Sequence, residues 1–535
     1  MKIIIIFLCC FLASLAVGTL IYQKLYKFNF LDRLIAAVIP TSLVVLCALH
    51  TREILRAVLI DWSGNRLAPA LSMLYGYKLY YPSDSGLVNG EMYGPIKALI
   101  YLPATLANSP TTTVILAAII NISFFFLPIM WLCLGKHWGN FQATIISAGV
   151  FILFGFFAHQ SKVLYEAAFT VHADSPALGL SAISCAILYY RQQKDRFLPL
   201  ILSAIFAVLA VWTKQVTLPI LVALPLYILL ADGRKCFQRY IICLTVAGLT
   251  ISTILILVFD FQPLLFNLFT IASNQPWWEP NKIKRLLSVS QELMNETLLP
   301  GLLIAFYISY QFLFNSDSLT KFNWRDRFKQ NQWIMFLIVS ILMIPTSLLG
   351  RVKIGGAENA LSYTVYFLFV AASLILIELG TKFYDNRLQK TERTTKLAIV
   401  LLIIALTTNN LFPAVFRLVE RAEQIKTNNH QVAYEYAKKH PGEVYFPWHI
   451  LSTLMAEQKM YHFEDAVANR ELAGFKVSKQ HFLQHIPQDM KFVAHYGQPN
   501  WLKGNADYVL KKYLPEFSKK VEIDSLPGWT VYAKE

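Results

Sequence analysis

The sequence predicts a mainly α chain: a polytopic transmembrane helix bundle of about twelve spans with a small α/β or α+β domain at its C-terminal end. Three observations lead there. Of 535 residues, 56% are hydrophobic and 15% charged, with a mean hydropathy of +0.46. A soluble protein carries about 25% charged residues. Apolar runs long enough to cross a bilayer recur as far as Leu411. The short loops between them hold basic clusters at alternate turns, the pattern of the positive-inside rule.

The first span is MKIIIIFLCCFLASLAVGTLIYQK, whose apolar run exceeds the roughly 7–15 residues of a signal core. The loop after it carries Lys24, Lys27 and Arg33 and is expected on the cytoplasmic side. A second span, about Arg33 to His50, leads out to Asp61–Pro103, a polar and aromatic stretch holding Asp61, Arg66, Lys78, Asp84, Glu91 and Lys97. Thr112–Leu134 returns to Lys136 and His137, and two spans bracket an outer segment at Gln160–Asp174. The inner loop RQQKDR follows; Phe197–Trp212 and Val216–Ala231 are hinged outside at Thr213-Lys214-Gln215. Further inner loops hold Arg234, Lys235 and Arg239, then KFNWRDRFK, then Lys382 to Lys396. Between them lie an outer loop rich in Trp, Pro and Asn, and the outer segment RVKIGGAENALSY; Leu397–Leu411 exits last.

The expected division is therefore a membrane domain over residues 1–412, with its outer loop at 51–111, and an extracytoplasmic domain over 413–535. The second is long enough to bury a core of its own. In it EVYFPW and GWTVYAK read as strands, VAYEYAKKH and ADYVLKKYL as amphipathic helices. The seven cysteines lie in or beside apolar runs, which argues against a disulfide framework. The net charge of +15 comes from loop lysines and arginines, so nucleic acid is not an expected partner; membrane lipids are. A glycine-rich phosphate loop is missing, which disfavours a nucleotide-driven pump.

Ionisable groups at the membrane rim are costly and commonly face a cavity or pathway. Asp61 reads either as a helix cap or as a general base, and Asp174 either as a cap before Ser175-Pro176 or as a carboxylate converging on the same cavity. His172 reads as a hydrogen-bonding neighbour of Asp174; with no second ligand at zinc spacing, a metal site is not expected. Lys214, Arg351, Lys353 and Arg66 either snorkel to lipid phosphates or neutralise a phosphate of a substrate. Tyr80, Tyr81 and Tyr93 suit a substrate groove or an interfacial belt, and Glu91, Gln215, Glu358 and Asn359 add polar contacts to that groove.

The run ALSMLYGYKLYY followed by YGPIKALIYLPA, then DSPALGLSAISCAILYY and VLAVWTKQVTLPILVALPLYILL, resembles the GT-C superfamily of polytopic glycosyltransferases. That superfamily includes protein O-mannosyltransferases and the lipid A aminoarabinose transferase. The resemblance is clearest over Asp61–Leu230 and looser over the rest. The chain departs from the pattern in having a single Asp61 where several such families have an adjacent acidic pair, and in one extra span before the outer loop. The resemblance implies a sugar carried on a polyprenyl phosphate and an acceptor that is a glycan, a lipid or a protein. It further implies inverting transfer with Asp61 as base and Lys214, Arg351, Lys353 and Arg66 on the donor phosphate. No cofactor is required on this reading, and a divalent metal is compatible with it. The competing classes are a transporter or lipid flippase, which should place charge at mid-span and show two-half symmetry, and a lipid-linked polysaccharide polymerase or ligase.

Overall fold

In the computed structural model the residues described are 30–136, 141–191, 197–314, 324–382, 389–496 and 508–535. The first expected span, with Lys24 and Lys27, lies outside them. Each of the other expected spans has a helix. They are α1 (Phe30–Val58), α4 (Pro110–Leu134), α5 (Phe141–Gln160), the bent pair α6 (Lys162–Phe169) and α7 (Asp174–Tyr189), α8 (Leu198–Thr213) and α9 (Ile220–Asp232). Then follow α10 (Arg234–Phe259), α11 (Lys282–Phe314), α12 (Trp333–Val352), α13 (Ser362–Lys382) and α14 (Gln389–Gln424). By length and composition 8 of the described helices can cross a membrane, or 9 if α6 and α7, bent by 97°, form one span. The chain is an integral membrane protein.

Local chemistry sets the breaks. Ser109 caps α4 by accepting from the Thr112 N–H at 3.3 Å, with Pro110 at the first helical position. Ser161 caps α6 by accepting from the Leu164 N–H at 3.2 Å. The outer stretch forms two short helices, α2 (Asp61–Ser72) and α3 (Pro95–Tyr101). Asp61 is the first residue of α2 and makes no capping bond.

Beyond α14 come α15 (Asn429–Lys439), α16 (Ile450–Glu457) and α17 (Glu464–Leu472), with a sheet of β1 (Val444–Tyr445), β2 (Phe492–His495), β3 (Phe517–Val521) and β4 (Thr530–Lys534). Its order is β1-β2-β4-β3, with β1 parallel to β2 and the remaining pairs antiparallel; Val493 faces Tyr532 and Ala494 faces Val531. This part does not keep its core to itself. Trp448, Ile450, Phe463 and Tyr532 share one buried cluster with Leu67, Leu71, Leu87 and Val88 of the outer stretch. Asn65 bolts the two together, its amide donating to Trp448 O at 2.7 Å and its Oδ1 accepting from the Ile450 N–H at 3.3 Å. Gly64 permits the approach: a Cβ there would stand 2.5 Å from the His430 ring. A sheet and three helices thus lie directly over α2, and a cleft forms beneath them.

Candidate active site

Asp174 begins α7 at the 97° bend and is fully buried. A buried carboxylate is tolerated only when its lone pairs are filled, and here four donors fill them. Lys214 Nζ and the Tyr363 hydroxyl reach Oδ1 at 2.6 and 2.8 Å. Asn359 Nδ2 reaches Oδ2 at 2.7 Å, and His172 Nδ1 bonds the same oxygen. Five elements are pinned at one carboxylate: α7, the bend before it, the end of α8, the turn before α13, and α13.

The outer stretch forms the next wall. Lys97 of α3 is buried and donates to Glu91 Oε2 at 2.6 Å and to Arg66 O at 2.8 Å. Burial pushes the Glu91 carboxyl up, and the Lys97 ammonium opposes that shift. Asn89 Oδ1 accepts from the Glu91 N–H at 3.1 Å, which fixes the turn. Tyr93 then lies with its ring 5.2 Å from Lys214 Nζ and edge-on to His172 at 4.8 Å. Gly94 makes this possible, because a Cβ there would stand 1.6 Å from Trp212 O. Arg66 stacks over Trp62 at 5.3 Å and donates to Val171 O at 3.2 Å. It forms no ion pair among the described residues, and burial lowers its pKa against the pull of surrounding acids.

One cleft of about 770 Å³ lies against this wall. Its inner wall carries Arg66, Glu91, Tyr93, Lys97, His172 and Lys214. Gln215, Arg351, Lys353, Glu358 and Asn359 also face it. Another part of its lining is apolar and open: Phe269 is 51% exposed, Leu349 53% and Trp278 37%. The third wall is α17, which presents Asp465, Asn469 and Arg470.

Several expected residues stand elsewhere or are already engaged. Asp174 stands behind the cleft wall, bonded by Lys214 and Asn359 that line it, and Asp61 does not border the cleft either. Its carboxylate accepts from His449 Nε2 at 3.2 Å and from Asn429 at 3.5 Å, because the small face of α2 is buried against the C-terminal part and carries Asp61 with it. Burial alone would raise the Asp61 carboxyl, but the His449 bond and the nearby histidines hold it below its ordinary range. Arg351 is clamped by Glu292 at 2.9 Å, Gly356 O at 2.7 Å and Glu358 at 3.3 Å. Lys353 donates to Ala272 O and Ser273 O, both at 2.8 Å. Tyr80 is buried and donates to Tyr93 O at 2.5 Å, so it braces the wall rather than stacking on a ligand. Tyr81 lies outside the lining and accepts from the Lys78 N–H at 3.1 Å.

Lys97, Tyr363 and the α17 residues were not expected as site residues. Lys97 had a signal: a lysine beside apolar residues, six positions after a glutamate, needs a partner if it is buried. Among the described residues no three His, Cys, Asp or Glu side chains are grouped to hold a metal ion.

The crystal structure of ArnT from Cupriavidus metallidurans bound to undecaprenyl phosphate is similar to this chain at 12% identity and a TM-score of 0.51, over 93% of this chain and 97% of that one. The chain has the GT-C fold. ArnT in the apo state aligns at 12% identity and a TM-score of 0.48, over 88% of this chain and 93% of that one. The Archaeoglobus fulgidus oligosaccharyltransferase in complex with Zn and sulfate aligns at 14% and 0.42, over 92% of this chain and 73% of that one. No family model and no curated protein matches the sequence. In this GT-C fold two of the four segments that carried the resemblance come together, since Asp174 opens α7 and Lys214 ends α8.

Proposed function

We propose that this chain is a glycosyltransferase that moves a sugar from a polyprenyl-phosphate donor to an acceptor hydroxyl at the outer face of a plasma or inner membrane, with residues 413–535 on that same side. One observation carries the reading: the cleft passes from exposed apolar residues, Phe269, Leu349 and Trp278, to the cations Arg66, Lys97 and Lys214. Lys97 and Lys214 are buried there and Arg66 is half-buried, a gradient that suits an amphiphile with a lipid tail and an anionic head. Arg66 leads for the phosphate, since the other two cations each face a carboxylate.

The acceptor oxygen attacks the anomeric carbon as the bond from that carbon to the phosphate oxygen breaks, and the electron pair leaves with the lipid phosphate. Charge grows on the phosphate, where fixed cations stabilise it. Glu358, on the cleft wall and only partly held by Arg351, takes the acceptor's proton. Asp61 acts as a positioning residue that seats the C-terminal part on α2. ArnT supports the donor class, as that structure holds undecaprenyl phosphate.

A membrane assay with a panel of radiolabelled polyprenyl-phosphate sugars tests this. At least one donor should be consumed by the wild type, with about 10²-fold or greater loss in Glu358→Gln and most turnover kept in Asp61→Asn. If no donor is consumed, the reading fails; loss at Asp61 with Glu358→Gln intact returns the base to Asp61.

A further inference from the structure

The roof of the cleft holds polar groups with no partner. Asp465 is 3% exposed: its Oδ2 accepts from Asn469 at 2.7 Å, and its Oδ1 has no partner. Arg470, 2% exposed, donates from Nη2 to Pro82 O at 3.2 Å and lies 5.2 Å from the Phe266 ring, while Nε and Nη1 are unpartnered. Gln275, 8% exposed, donates to Asn469 O at 2.8 Å, and its Oε1 is unpartnered. All three border the cleft. Native interiors leave few such groups unmatched, because a buried donor or acceptor without a partner has lost its water for nothing. Three of them, from two separate elements and on residues that line one cleft, describe the outline of a ligand.

We infer that Asp465, Arg470 and Gln275 form the acceptor subsite, and that it takes a hydroxylated, anionic molecule such as an acidic sugar. The chemistry of the three groups sets this class. Gln275 Oε1 can accept a hydrogen bond from a sugar hydroxyl, the Asp465 carboxyl can bond a second hydroxyl through Oδ1, and the two free N–H groups of Arg470 call for an anionic oxygen. The position argues for acceptor over donor. The donor's tail has its apolar entry at Phe269 and Leu349 and its phosphate has Arg66 and Lys97, which leaves the α17 wall for the second reactant. This assignment rests on the transferase reading, but the groups that carry it do not bind the lipid phosphate. Burial pulls the Arg470 guanidinium down to about 10, against the pull of Asp84, so the site would gain from a bound anion.

Binding to the full chain in nanodiscs tests the proposal, with glucuronate, glucose and inorganic phosphate as probes and undecaprenyl phosphate as the lipid. Glucuronate should bind the wild type at least tenfold more tightly than glucose or phosphate. Arg470→Gln should erase the preference for glucuronate over glucose, and Gln275→Met should weaken both sugars about tenfold; undecaprenyl phosphate affinity should stay within twofold in each. The two variants lie on different elements, so a folding failure in one leaves the other as the test. If the variants weaken undecaprenyl phosphate and leave the sugars alone, the anion is the donor's phosphate and the assignment is overturned. If no sugar binds at any concentration, the groups hold water only and the subsite is rejected. A wild type that binds glucuronate but not undecaprenyl phosphate would sink the donor reading and leave the anionic-sugar site standing.

Discussion

Asp174 and Asp465 are both buried carboxyls, one behind the cleft wall and one in it, and their surroundings are opposite. Asp174 has four donors on its two oxygens; Asp465 has one donor and a bare oxygen. The first is a completed junction between helices that the rest of the bundle depends on. The second is held in the wall at a cost to stability, and a cost of that kind persists where a ligand relieves it. Burial alone therefore does not mark a working residue; the completeness of its partners does.

The largest expected effect is at the completed junction. Asp174→Ala leaves the Lys214 ammonium buried without its carboxylate, which should cost about 3–5 kcal/mol and all turnover. Thermal unfolding in detergent checks it, and an unchanged midpoint would erase the contrast with Asp465. Next is the pair on the inner wall. Lys97→Met should lower turnover about 10²–10³-fold and destabilise the fold by stranding Glu91. The double variant Glu91→Gln, Lys97→Met should recover the stability and not the rate; recovery of both would make the pair structural only.

The smallest effect sharpens the other side. Burial holds the Asp465 carboxyl well above its ordinary 3.8, so the folded state keeps a proton that the unfolded chain releases. Stability at this residue is then greatest at low pH and declines as pH rises from about that value toward the folded pKa. Asp465→Asn removes the decline, and should gain about 0.5–2 kcal/mol at neutral pH while losing acceptor binding. The midpoint measured from pH 5 to 9 gives the answer: a variant that loses stability across the whole range would place Asp465 with Asp174.

The bundle was legible because hydropathy and loop charge act over short distances of chain, and every expected span within the described residues has its helix. Asp174 and Lys214 were legible for a related reason, as charges at the ends of apolar runs have little to do but meet. Asp61 was harder. Its side is set by Ser63, Gly64 and Asn65, whose small face packs under Trp448 and His430, and nothing local says what will cover them. The α17 wall was hidden altogether: Glu464-Asp465-Ala466-Val467-Ala468-Asn469-Arg470 carries charge on several faces and reads as a solvated helix, yet Asp465 and Arg470 are buried, Arg470 against Pro82 far away in sequence. Arg351 and Lys353 looked free because their partners, Glu292 on α11 and the carbonyls of Ala272 and Ser273 between α10 and α11, lie far off in sequence on a path that cannot be read from composition.

The bolt at Asn65 has a consequence for how the chain is made. Its partner Trp448 emerges 383 residues later, so at about 5–20 residues per second α2 waits roughly 20–80 s for the residues that cover it. During that time Leu67 and Leu71 have no sheet above them. The amphipathic α2 can rest at the lipid surface until translation ends. A ribosome that stalls before Trp448 leaves the bundle in the bilayer with an open roof, so the cleft is completed long after the helices beneath it.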